Sequence, residues 1–248
     1  MEKSWLDLSE VRFIIISRGR SATIKSHKIF PYATLVVPES QKKDYEWTGL
    51  EIKTCDDSII GLSLLRNWRI QNFKEEIIIM IDDDIEYCCR CDKCTYEKIE
   101  DTETIKLVLL NAAQQAKDIG TFVFGFGQSQ DVRKYNPAEP FKLTGWVGGV
   151  IGVIGKENSF IDNKFKVDVD FCLEALLNRR VIWKDNRFGF VQIRDRNKGG
   201  NALYRTKELV DKEKDKLLKK WGRYIKFKST MSGEVVSVNV KRRERYDV

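Results

Sequence analysis

Glu76-Ile77-Ile78-Ile79-Met80-Ile81-Asp82-Asp83-Asp84 is the stretch on which the fold of this chain turns. Five consecutive apolar residues, mostly β-branched and bounded by charges, read as a strand buried on both faces. Such strands belong to mostly parallel sheets covered by helices, and those sheets bind ligands beyond the carboxyl ends of their strands. Three adjacent carboxylates at such an end repel one another unless a cation or a hydrogen-bond network stabilises them. The alternate pair, Asp82 and Asp84, offers hard oxygen ligands of the kind that Mn²⁺ or Mg²⁺ takes together with phosphate oxygens. A nuclease or phosphatase can use the same cluster, and a solvated acidic turn is the plainer alternative.

The flanking sequence carries the same alternation. Arg12–Ser17 (RFIIIS) reads as a buried strand feeding Arg18-Gly19-Arg20, and Ala33–Val37 as a second strand stopped by Pro38. Ile59–Phe73, with Ile60, Leu64, Leu65, Trp68 and Ile70 at helical spacing, predicts an amphipathic helix. Thr104–Lys117 predicts another, followed by a strand over Thr121–Phe126. Trp146–Ile154, rich in glycine and β-branched residues, predicts a strand or a strand and loop. Val169–Asn178 predicts a helix with Asp168 near its positive end. A charged helix is expected over Thr206–Trp221, then a hairpin and the basic end KRRERYDV.

With 248 residues, the chain can bury a sizeable core without disulfides. No apolar run reaches the roughly 20 residues that cross a bilayer, and MEKSWLDLSEVRF lacks the layout of a signal peptide. Six cysteines without an export signal suit a reducing compartment, so a cytoplasmic location is expected. The charge is uneven. Arg196–Val248 holds 16 Lys/Arg against 7 Asp/Glu, a net +9, while the first 195 residues hold 28 against 30, a net −2. That asymmetry suits a polyanion engaged from the C-terminal side, with a solvated basic helix as the alternative.

The order Leu65-Arg66-Asn67-Trp68, buried strand, Asp82-Asp83-Asp84 resembles the core of the GT-A glycosyltransferases. The resemblance spans residues 12 to 175 and implies an α/β fold, GT-A and Rossmann-like, with a mostly parallel central sheet flanked by helices. It implies a domain over residues 1–195, its donor half about 12–87 and its acceptor half about 104–195. A basic, helical C-terminal extension, residues 196–248, would pack on the same domain. The donor, a nucleotide-sugar and by this reading a UDP-sugar, would meet Ser17, Arg18, Arg20, Arg66, Asp82, Asp83, Gly148 and Gly149. Asp82 and Asp84 would hold Mn²⁺ or Mg²⁺. Gly145-Trp146-Val147-Gly148-Gly149 followed by Asp168-Val169-Asp170 resembles the acceptor-side loop and the acidic pair that opens a helix. One carboxylate of that pair would take the proton of the attacking hydroxyl, and of the two the reading favours Asp170. Many members carry a metal-binding histidine near the C-terminal end, whereas the only histidine here is His27.

The SRGR opening, Pro38-Glu39-Ser40, the LRNW helix and the DDDI turn are together most similar to phage glycosyltransferases associated with hydroxymethylated or oxidised pyrimidines in DNA. That resemblance implies DNA as acceptor, through a hydroxymethyl group on a base. Lys241, Arg242, Arg243 and Arg245 are then the candidate phosphate contacts. Cys88, Cys89, Cys91 and Cys94, with one CxxC step, are candidates for a structural Zn²⁺, although the second knuckle of a four-cysteine site is missing. Two other readings stand beside this one: a GT-A enzyme with a glycan or protein acceptor, and a non-catalytic nucleic-acid-binding protein whose aspartates are structural.

Overall fold

The apolar runs become the middle of one sheet whose two faces are both covered. The computed structural model describes residues 5–92, 95–127, 135–160, 166–192, 206–230 and 233–240. In chain order the elements are β1 (Val11–Ile16), β2 (Thr34–Pro38), α1 (Lys42–Tyr45), β3 (Glu51–Cys55), α2 (Leu62–Asn72), β4 (Ile77–Asp82), β5 (Ile85–Cys91) and β6 (Tyr96–Ile99). They continue as α3 (Thr102–Asp118), β7 (Val123–Gly127), β8 (Phe141–Lys142), β9 (Val150–Ile154), α4 (Val167–Arg179), β10 (Trp183–Gln192), α5 (Lys207–Trp221), β11 (Ile225–Thr230) and β12 (Gly233–Val238).

The strand order is β3-β2-β1-β4-β9-β7-β10-β5-β6, with β8 on β10, and β11 pairs with β12 separately. Within the main path β9 and β5 run against the other strands. The sheet is therefore mostly parallel with two reversed strands, as the alternating pattern predicts. In β1 and β4 the even residues Ile14, Ile16, Ile78 and Met80 enter one apolar layer. The odd residues Phe13, Ile15, Ile77, Ile79 and Ile81 enter the other. Two buried faces explain why neither strand alternates in sequence.

The first layer is closed by α2 and α4, and Leu217, Tyr224, Ile225, Val236 and Val240 join it from the C-terminal elements. The second is closed by α3, whose Ile105, Leu109, Ala112, Ala113 and Ala116 form one stripe. Asp101 caps α3 by accepting the Thr104 amide at 2.9 Å. At the centre, Gly152 of β9 lies where a Cβ would come within 1.9 Å of the Phe124 ring, so no side chain fits there.

Several expectations need correction. α2 begins at Leu62 rather than Ile59, because Gly61 has φ +108 and ends the preceding loop. Its buried face is Leu65, Arg66, Arg69 and Ile70, whereas Ile60 and Leu64 are exposed. Strands β3, β5, β6 and β10 carry no long apolar run, and the sequence pattern does not predict them. Strand geometry does not support the zinc reading: Cys88 enters the second apolar layer, while Cys89 and Cys91 lie on the opposite face of β5. Burial pushes the Cys88 thiol up to about 12. Cys94 lies outside the described residues, among which no three His, Cys, Asp or Glu side chains gather as a metal site. Lys241, Arg242, Arg243 and Arg245 also lie outside them. No helix among the described residues is long and apolar enough to cross a membrane.

Candidate functional site

β4 delivers Asp82 to the edge of the sheet, and its backbone fixes the turn that follows. The Asp82 amide donates to the Gly149 carbonyl at 2.8 Å, and the Asp83 carbonyl accepts from the Lys25 amide at 2.9 Å. Ser26 Oγ donates to the Asp82 carbonyl at 2.6 Å and accepts the Ile85 amide at 3.0 Å. Asp83 points inward and is buried. One of its oxygens accepts from Ser17 Oγ at 2.5 Å, the other from Arg20 Nη1 at 2.8 Å. Tyr45 closes this cluster through Ser17 Oγ (2.8 Å) and the Arg20 amide (2.9 Å). Ser17 and Asp83, expected to touch the donor, instead hold the turn in place, because their polar atoms are consumed by each other and by Tyr45 and Arg20.

Asp82 and Asp84 face the other way and share one partner. Gln192 Nε2, at the end of β10, donates to Asp82 Oδ2 at 2.8 Å and to Asp84 Oδ1 at 3.0 Å. Burial, opposed by Arg66 and helped by Asp168 and Asp84, pushes the Asp82 carboxyl up to about 7. Burial and the neighbouring Asp83 push Asp84 upward too. Arg66 at 3.6 Å from Asp82 and Arg20 at 3.7 Å from Asp84 do not offset burial and the neighbouring carboxylates; a divalent cation would, and the oxygen-only donor set suits Mn²⁺ or Mg²⁺. Gln192 has no signature in the sequence. The half-turn that exchanges its Oε1 and Nε2 would let the same side chain offer an oxygen to a cation. Gln192→Glu, adding a third carboxylate, is expected to tighten Mn²⁺ binding on the order of tenfold, read by calorimetry without nucleotide; unchanged affinity would place Gln192 outside the metal's reach. Gly149 permits this approach: its φ is +75, and a Cβ there would lie 3.1 Å from the Gln192 amide carbon.

Across the site, Arg66 of α2 reaches Asp82 Oδ1 at 3.6 Å and makes a short ion pair with Asp168 Oδ1. Burial opposes its charge, yet Asp168 and Asp82 outweigh burial and hold the guanidinium more firmly protonated. Its neighbour Asn67 exchanges two 2.6 Å hydrogen bonds with the Phe160 backbone, and the Arg66 guanidinium lies 5.2 Å from the Phe160 ring centre. Phe160 in turn stacks on Phe171 of α4. The Arg-Asn pair thus fastens α2 to α4 and aims one cation between two carboxylates.

Asp168 and Asp170 go to different places. Two residues apart on α4, they cannot share a face. Asp168 meets Arg66 in the site, whereas Asp170 is buried against α5, accepting from Lys220 Nζ at 2.9 Å and from Trp221 Nε1. The expectation that Asp170 takes the proton is corrected on that ground: its carboxylate holds α5 onto α4. Arg18 bridges to the loop after β3, donating to the Asp57 and Ile59 carbonyls at 2.9 and 3.2 Å. Gly148 lies buried in the loop before β9.

This arrangement has counterparts among solved structures. The chain matches glucosyl-3-phosphoglycerate synthase from Mycobacterium tuberculosis, in complex with Mn²⁺, UDP-glucose and phosphoglyceric acid, over 94% of its length and 88% of that chain. The TM-score is 0.54 at 10% identity. The fold is that of the GT-A glycosyltransferases. The same enzyme with Mg²⁺ and UDP gives a TM-score of 0.56 at 9% identity, over 93% of this chain and 87% of that one. A mannosyltransferase from Pyrobaculum calidifontis, in complex with GDP-mannose and Mn²⁺, gives 0.50 at 12% identity, over 79% of this chain and 59% of that one. No protein-family model and no curated protein matches the sequence. In this GT-A frame the Asp82–Asp84 turn, Arg66 and Asp168 lie together at one edge of the sheet.

Proposed function

We propose that the chain is a metal-dependent glycosyltransferase, moving a sugar from a nucleotide-sugar to a hydroxyl acceptor. The observation that carries the reading is the pairing of Asp82 and Asp84 at the end of β4 with an Arg66–Asp168 ion pair beside them. Asp82, Asp84 and Gln192 would hold a divalent cation, which when bound offsets the negative charge of the leaving diphosphate. Asp168 takes the proton of the acceptor hydroxyl as that oxygen bonds to the anomeric carbon and the bond from that carbon to the diphosphate breaks. Arg66 keeps the Asp168 carboxylate oriented until then. One displacement of this kind inverts the anomeric configuration.

For the acceptor we propose a hydroxymethyl group on a pyrimidine of DNA. Its support is the resemblance of the SRGR, LRNW and DDDI segments together with the +9 charge of residues 196–248. A base inside a duplex would have to leave the stack to reach Asp168.

The test is nucleotide release from a panel of nucleotide-sugars with Mn²⁺, with and without hydroxymethylated DNA. Release that needs such DNA and disappears in Asp84→Ala supports both proposals. Release with glycan or protein acceptors but not with DNA would remove the DNA reading and keep the transferase. No release with any donor would remove both.

A further inference from the structure

Helix α2 buries two arginines one turn apart, and only one of them is paired. Arg66 faces Asp82 and Asp168. Arg69 is fully buried, yet none of its three guanidinium nitrogens has a hydrogen-bond partner among the described residues. A buried guanidinium left unpaired is destabilising, more so than replacing it by a hydrophobic side chain of similar volume. Its retention calls for something that pairs with it in the working protein.

The surroundings indicate what that is. Cys55 ends β3 as a buried thiol, and both Arg69 and Arg18 act on it electrostatically. Arg18 spans from the loop after β1 to the loop after β3, and its Nε is likewise buried without a partner. Asp82 and Asp168 are engaged by Arg66, and no carboxylate among the described residues hydrogen-bonds to Arg69. A thiol or carbonyl would leave the Arg69 charge uncompensated. A phosphate brings both opposite charge and several acceptor oxygens in a geometry that suits the guanidinium fork. Because no hydrogen bond restrains the Arg69 head, it can turn toward a ligand without breaking one.

We propose that Arg69, with Arg18 as the second cation acting on Cys55, forms a phosphate subsite at the junction of β3 and α2 that works without the divalent cation. This rests on the donor reading above and adds to it: part of the affinity for the nucleotide's phosphates is supplied by buried arginine rather than by metal.

The test is calorimetry of the full chain with UDP, GDP, uridine and inorganic phosphate, in EDTA and in Mn²⁺. In EDTA the better-bound diphosphate should bind the wild type more tightly than uridine does. Arg69→Met should lower that affinity by about 10- to 100-fold and leave uridine unaffected. The free Arg69→Met protein should also melt higher, by roughly 2–8 °C, once the unpaired charge is gone. Competition by inorganic phosphate in the wild type but not in the variant assigns the subsite to phosphate as such; lack of competition assigns it to phosphate carried on the nucleotide. Equal diphosphate affinity of variant and wild type in EDTA overturns the proposal while leaving the donor reading intact. Failure of the wild type to bind either diphosphate, even with Mn²⁺, overturns the donor reading and the subsite with it. Arg69→Gln, which keeps donors but removes the charge, carries the same expectation if Arg69→Met does not fold.

Discussion

Asp168→Asn is expected to lower turnover by about 10²–10⁴-fold while donor affinity stays within a few-fold of the wild type. The substitution keeps the size of the side chain and an oxygen for Arg66, but removes the ability to take a proton. A fall in kcat at constant donor affinity marks an interaction made in the transition state, so both quantities should be measured, kcat by nucleotide release and affinity by calorimetry. Asp170→Asn is the control. Its carboxylate holds Lys220 and Trp221, so that variant should lose melting temperature rather than kcat. If Asp168→Asn retains full turnover, the base lies elsewhere.

Arg66→Ala is expected to be the most destabilising single change in the site. Removing one member of a buried ion pair costs about 3–5 kcal/mol, because the remaining charge stays behind uncompensated. Here two carboxylates would remain, Asp82 and Asp168, although side-chain exposures of 29% and 22% soften the loss. The lower end of that range is therefore expected, a fall in melting temperature of roughly 6–12 °C for a chain of this size. Added Mn²⁺ should recover part of the loss by replacing the missing positive charge. A variant that melts like the wild type would show that Arg66 is not what balances these carboxylates.

The sequence exposes the parts of this molecule that are locally marked. β1, β2 and β4 are legible because both their faces are buried, leaving unbroken apolar runs, and α3 because its stripe repeats at helical spacing. β10, WKDNRFGFVQ, is illegible because it buries only Trp183, Asp185, Gly189 and Phe190 and mixes them with half-buried charge. Since β10 is hidden, so is Gln192 at its end. In β5 the cysteines mask the strand, whose alternation is what separates Cys88 from Cys89 and Cys91. The choice between Asp168 and Asp170 is invisible for a different reason. Both begin a helix, and which one faces the carboxylates depends on where α5 packs, which no local pattern records.

The strand order also dictates a schedule for synthesis. β1, β2, β3 and β4 pair only among themselves along one side, so the first 82 residues can begin to assemble as they leave the ribosome. The free edge of β4 must then wait for β9, about 70 residues later, and β5 must wait for β10, whose last residue is Gln192. In that interval the apolar edge of β4 and the edge of β5 that does not pair with β6 are open to other chains. The Asp82–Asp84 turn lies on the seam between the early and late halves. Nascent chains stalled before Gln192 should therefore be the aggregation-prone ones, and the site should take shape only once β10 has been made.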